Sequence, residues 1–294
     1  QPNLAVWYAR LDVELAMQRW GVNADKKLVN RVGRNVARAQ TKDQLKARKK
    51  LTRVVDGKFR FVSDPPLLVP IDELMEGDER QDIEGLVNEA LRGYRKTLSN
   101  DLRRLLDRYR LVDIARKVVG VGSVGTRAWV TLSVGRDTDD TLILQLKEAE
   151  ASVLERFIGK SPYRNHGQRV VEGQRLQQAA TDIFLGWQRV QDGIDGQRHD
   201  YYVRQLWDWK FSPNVDTMDP VLMASFAEMC GWTLARAHAR SGDAIAIGAY
   251  LGSTDVFDRA LVDFAHAYAD QNEVDHQALV DAIAAGKVKA ETGV

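Results

Sequence analysis

The sequence predicts an α+β fold, and three observations carry that expectation. Helical periodicity dominates both ends of the chain, short β-prone runs cluster in its middle, and those runs follow one another through tight turns. Strands that do not alternate with helices argue against a doubly wound parallel sheet. The 294 residues are 44% hydrophobic and 8% aromatic, enough to bury a substantial core in one large domain or two smaller ones.

Taken in order, the opening QPNLAVWYARLDVELAMQRWG sets Leu4, Trp7, Tyr8, Leu11 and Leu15 at the spacing of an amphipathic helix. It lacks an initiator Met, so the chain reads as beginning inside a domain, with any targeting peptide lying outside it. From Asp25 to Arg53 eleven Lys or Arg accompany two Asp, which reads as one or two exposed helices. Such a face either binds phosphates of nucleic acid or another polyanion, or is merely solvated; the lack of interleaved aromatic residues favours the second. In TRVVDGKFRFV, Asp56-Gly57 separates two β-prone runs and predicts a tight hairpin near 52–62, which Asp64-Pro65-Pro66 then ends.

Ile83 to Leu111 returns to helical periodicity, with Leu86, Leu91, Tyr94, Leu98, Leu102, Leu105 and Leu106 on one stripe. Then follow a strand, a Gly-rich turn, a second strand, a polar turn at Arg136 to Asp140, and an apolar strand from Leu142 to Leu146 ending in Lys147-Glu148. Helix resumes over Gly167 to Ala180, two more β-prone runs follow in IFLGWQRV and DYYVRQLWDWK, and Asp219 to Arg240 and Asp255 to Ala284 are helical. The predicted organisation is a mostly helical segment 1–111, a β-rich lobe 112–210 and a helical lobe 211–294.

Bulk properties narrow the function classes. With 42 Lys plus Arg against 41 Asp plus Glu, the net charge of +1 gives no field that favours nucleic acid, so any basic site is local. Cys230 has no intramolecular partner and no Cys/His cluster has zinc spacing, which fits a reducing, cytoplasmic setting; Cys230 itself is expected to be packed in the interior. No apolar run is long enough for a spanning helix, so no membrane partner is expected.

The stretch VVGVGSVGTRAWVTLSVGR carries chemistry: Gly120, Gly122 and Gly125 have the G-x-G-x-x-G spacing that lets a backbone approach phosphates. A dinucleotide fold needs a helix after the third glycine, but TRAWVTLSVG alternates like a strand. A Walker loop fails too, because Gly159-Lys160-Ser161 has Leu154 where the leading glycine belongs, and Gly159 reads as a loop after a helix. The remaining architecture lays a glycine hairpin over a nucleotide, with a lysine on the next strand reaching its phosphates. Lys147 occupies that place, and its charge calls for a partner on the following helix, Glu172 or, second, Glu155. Against this stand a plain tight turn, a snorkelling Lys147 and an exposed Glu172.

The blocks LVDIARKVVGVGSVGTRAWVTLSVGRD, LQLKEAEASVLE, NHGQRVVEGQRLQQAATDIFLGW and CGWTLARAHARSGD resemble the uncharacterised bacterial family known as domain of unknown function 2252, and the similarity runs over nearly the whole chain. That family is distantly similar to protein kinases and aminoglycoside phosphotransferases. The resemblance implies a kinase-like fold: a small antiparallel lobe with a Gly-rich hairpin, a hinge at YYVRQLWDW, and a helical lobe. It implies ATP beneath Gly120, Gly122, Ser123 and Gly125, with Lys147 on the phosphates, Glu172 holding Lys147, and magnesium brought with the nucleotide. It also implies a permuted order, with Gly-Asp-x-His-x-x-Asn-like and Asn-Asp-Phe-Asp-like blocks upstream. Neither block occurs here, and Ser241-Gly242-Asp243 runs into AIAIGAYLG rather than a His-x-Asp loop. The chain is therefore expected to be the C-terminal part of a family member, to partner the missing upstream half, and to bind ATP without turning it over, its catalytic base and metal ligands unassigned.

Four further places invite a role. His238 reads as a packing or hydrogen-bonding residue before a proton shuttle, and Asp243 as a helix cap before a base. His166 reads as a helix start before a phosphate contact. Trp207 and Trp209 read as core, although a hinge position would put them beside an adenine ring.

Overall fold

Asp56-Gly57 does what its chemistry requires: Gly57 takes a positive φ of 72° and joins β1 (Thr52–Val55) to β2 (Lys58–Phe61), with Val55 opposite Lys58. The computed structural model describes residues 50–55, 57–74, 78–118, 125–191, 193, 195–206 and 214–290 together with Val6, the side chains of 78–84 excepted. The basic stretch 25–53 falls outside that set up to residue 49, as do the helix expected at Leu4 to Leu15 and the hinge residues Trp207 and Trp209.

The chain forms two units, 1–240 and 241–294. In the first, a six-stranded antiparallel sheet has the order β3-β4-β5-β6-β8-β7, where β3 is Leu68–Pro70, β4 Arg110–Lys117, β5 Ala128–Val134, β6 Thr141–Ala149, β7 Gly186–Val190 and β8 His199–Gln205. Between β3 and β4 lie α1 (Ile71–Leu74), α2 (Asp78–Lys96) and α3 (Asn100–Leu106); between β6 and β7 lie α4 (Glu155–Ile158) and α5 (His166–Gln177). The α+β class is thus what the sequence predicts, while β3, a three-residue edge strand, is new.

Pairing places alternate residues on opposite faces, and each face has its own cover. On one, Trp129, Leu142, Leu144, Leu146, Tyr201 and Val203 pack with Tyr94 and Leu98, and the partly buried Leu91, Leu102, Leu105 and Leu106 join them. The stripe read from Leu91 to Leu106 is therefore the inner face of the α2–α3 layer. Tyr94 is fully buried and its hydroxyl donates to the Phe184 carbonyl at 2.5 Å. On the other face, Ala115, Val130, Leu132 and Ile143 are covered by Leu51 and Phe61 of the β1–β2 hairpin. Two backbone N–H groups, those of Phe61 and Ile114, donate to the buried Asp113 carboxylate and tie the hairpin to β4. Burial holds that carboxyl above its ordinary range despite the two donors.

The first unit continues into α6 (Pro220–Ser241). It buries none of its residues, so Cys230 is exposed against the interior placement expected for it, and His238, read as a packing or hydrogen-bonding residue, is exposed as well. The apolar neighbours that suggested packing are themselves at the surface, Leu234 being 58% exposed. In the second unit, Asp243 caps α7 (Ala244–Leu251) by accepting from the N–H groups of Ile245 and Ala246, as expected, and α8 spans Val256–Ala284. Among the described residues no helix is long and apolar enough to cross a membrane.

Candidate functional site

Lys147 lies in the middle of the sheet, paired with Ala128 on β5 and Tyr202 on β8. Its ammonium is 6.0 Å from the centre of the Tyr202 ring, and it makes no ion pair with any described residue. On the same face, one pair further along, Gln145 stands opposite Arg204. The Gln145 side chain is buried, 2% exposed, and its amide nitrogen has no partner; the Arg204 Nε is likewise buried without one. Three donors thus share one face of two adjacent strands, and neither cation among them is in an ion pair with a described residue. Burial first, and the neighbouring Arg204 second, hold the Lys147 ammonium below the usual lysine value.

Helix α5 covers the same face. Its N-cap Asn165 accepts from the Gln168 N–H, and Asp200 of β8 accepts from the His166 N–H at 2.8 Å, so His166 begins the helix as expected. Asp200 also receives Arg189 at 2.6 and 2.9 Å. Burial would raise that carboxyl, but Arg189 and the His166 N–H together carry it below its ordinary value. Gly167, one residue into the helix, lies so close to β8 that a Cβ there would fall on the Tyr201 carbonyl. The start of α5 is therefore fixed against the strand that carries Arg204.

Glu172 is on α5, but the structure does not join it to Lys147. It pairs with Arg175, 3.2 Å away and one turn along the same helix, while Arg175 also lies over the Trp187 ring and donates to the Leu185 carbonyl. A partner three residues away on one helix is met without ordering anything else, which is why the local pair forms. Glu155, the second choice, makes no ion pair with any described residue, and its Oε1 is buried without a partner among them. Gly125 takes a positive φ of 82° in a turn just before β5; Gly120, Gly122 and Ser123 lie outside the described residues. Gly159 ends α4 with φ 86°, the loop after a helix that was expected.

The opposite face of the same strands holds a cluster that the sequence reading did not single out. Glu148, whose side chain is 5% exposed, accepts from the Arg127 backbone N–H at 2.8 Å and from its guanidinium at 3.2 Å, and faces His199 Nδ1 at 2.6 Å. Asp195 faces His199 Nε2 at 2.9 Å and pairs with Arg127. Carboxylates thus face both ring nitrogens of His199. Tyr201 beside them has its hydroxyl pushed up to about 12 by burial and then by Glu148. No local motif announces this quartet, because strand register, Glu148 opposite Tyr201, brings its members together. Among the described residues, no group of three or more His, Cys, Asp or Glu is arranged to hold a metal ion.

No curated protein and no solved structure matches the chain. Residues 1–282 match the family described as uncharacterized proteins conserved in bacteria, DUF2252. That match spans nearly the whole chain, including both the sheet with Lys147 and most of α8, and the protein belongs to the DUF2252 family.

Proposed function

We propose that the lobe built on β4 to β8 and α5 binds the phosphates of a nucleotide, ATP by preference, in the manner of a kinase-like phosphotransferase. The observation that carries the reading is the cationic face: Lys147 and Arg204 on adjacent strands, a buried Gln145 amide beside them, neither cation in an ion pair with a described residue, and the carboxylate on that face of β8, Asp200, taken by Arg189 and the His166 N–H. Desolvated cations without partners are costly, and a phosphate supplies both charge and acceptors. The order of parts agrees with this reading. A glycine-rich connection joins β4 to β5, the lysine is on the next strand, and a helix bearing Glu172 follows before the last two strands.

In this reading Gly120, Gly122, Ser123 and Gly125 close over the phosphates, Lys147 and Arg204 neutralise them, and α5 walls the site. Bound ATP brings a phosphoryl group poised for transfer. For magnesium the described residues offer no three-ligand set, so the ion arrives with the nucleotide and no step is routed through a metal held by the protein. No residue is assigned as catalytic base, and we expect binding without turnover by this chain alone; its relation to an upstream half of the fold belongs to the same proposal. Calorimetric titration with magnesium-ATP tests the reading on the native chain and on Lys147→Ala. The native chain should bind and the variant should lose roughly tenfold or more in affinity. Equal binding by both, or none by the native chain, would overturn the assignment.

A further inference from the structure

The face of the sheet opposite Lys147 adjoins a cavity of ≈ 450 Å³. Val87 and Ala90 of α2 form one wall; Trp129, Leu146, Val190 and Tyr201 of the sheet form the other. This volume and apolar lining are those of small-molecule sites. The side chains that make the gap are otherwise well packed: Val87, Ala90, Leu146 and Tyr201 are all buried.

The chemistry of the rim selects the occupant. Arg127, Asp195 and His199 line it, and together with Glu148 they form the quartet described above. Its carboxylate oxygens are already taken by Arg127, His199 and backbone N–H groups. Arg116 is the remaining charged residue of the lining. It stands opposite Trp129 on the neighbouring strand, is exposed, and makes no ion pair with any described residue. The cavity therefore has an apolar body and, at its mouth, the Arg116 cation, in no ion pair with a described residue.

We propose that this cavity binds a small amphipathic acid, its apolar chain or ring system between α2 and the sheet and its carboxylate at Arg116. A cationic amphiphile would meet Arg116 unfavourably and find every carboxylate of the quartet already engaged. The site is distinct from the nucleotide face and does not depend on it, since Leu146 and Lys147 project to opposite sides of β6.

The test is calorimetric titration of the whole chain with sodium decanoate and, separately, with decylammonium chloride, both below their micelle concentrations. Decanoate should bind and decylammonium should not. Arg116→Gln, a surface change, should weaken decanoate roughly five- to tenfold. Ala90→Leu should fill the gap, keep or raise stability to urea, and abolish decanoate binding. Equal binding of the two ions, or decanoate binding indifferent to both substitutions, would place the ligand on the exposed apolar side chains of α7 and α8 and overturn the proposal, as would no binding by the native chain. Should Ala90→Leu unfold the chain, the Arg116→Gln comparison decides alone.

Discussion

Lys147 and Glu148 are neighbours on β6, yet they project into opposite electrostatic situations. Glu148 is buried at the centre of a closed quartet with Arg127, His199 and Asp195 in which its carboxylate oxygens are already engaged. Lys147 is half-buried on the other face beside Arg204 and an unpartnered Gln145 amide, in no ion pair with a described residue, while Asp200 on that face is held by Arg189. The contrast separates charge that holds a fold from charge that awaits a ligand. A satisfied cluster gains nothing from an added ion, whereas unpaired cations are relieved by an anion.

The comparison can be broken or sharpened by substitution, beginning with the wall that shapes the Lys147 face. Gly167→Ala forces a Cβ onto the Tyr201 carbonyl and should lower stability to urea by about 3 kcal/mol, although alanine is ordinarily the better helix former. An unchanged midpoint would show that α5 is not held in that close approach. Glu148→Gln leaves Arg127 and His199 without their shared carboxylate and should cost about 2 kcal/mol by the same measurement. A neutral result there would dissolve the distinction between the two faces.

Asp200 sharpens it by pH. Its folded value lies below its unfolded one, so its contribution is fully present above the unfolded value and is lost as pH falls through the folded value. Asp200→Asn should therefore flatten the loss of stability below about pH 5 expected of the native chain, and an unchanged acid limb would contradict the pairing with Arg189. The smallest effect is the most telling for Lys147. Lys147→Met should leave stability unchanged or raise it by up to about 1 kcal/mol at neutral pH. Because the folded value is depressed, the native chain regains stability as pH rises from that value toward the unfolded one, and the advantage of the Met variant should shrink in alkaline solution.

Much of the fold was legible where a local signal existed. Asp56-Gly57 announced its hairpin, the Leu91 to Leu106 stripe announced the layer over the sheet, and the alternation after Gly125 announced β5 rather than a helix. Lys147 was legible as a charge ending an apolar strand. Its surroundings were not, because Gln145 and Arg204 meet it only through the β6–β8 register, and the Glu148 quartet depends on the same register. Glu172 was placed on the right helix, but its partner was misread: Arg175 is three residues away and is met first. Cys230 was misread because a free thiol is ordinarily packed in an interior, which α6 does not provide.

The most direct test of the central claim compares ATP with adenosine on the native chain, on Lys147→Ala and on Arg204→Gln. If the unpaired cations form a phosphate site, the native chain prefers ATP strongly, and each substitution reduces that preference roughly tenfold while leaving adenosine unaffected. An ATP-to-adenosine ratio that both substitutions leave untouched would contradict the account.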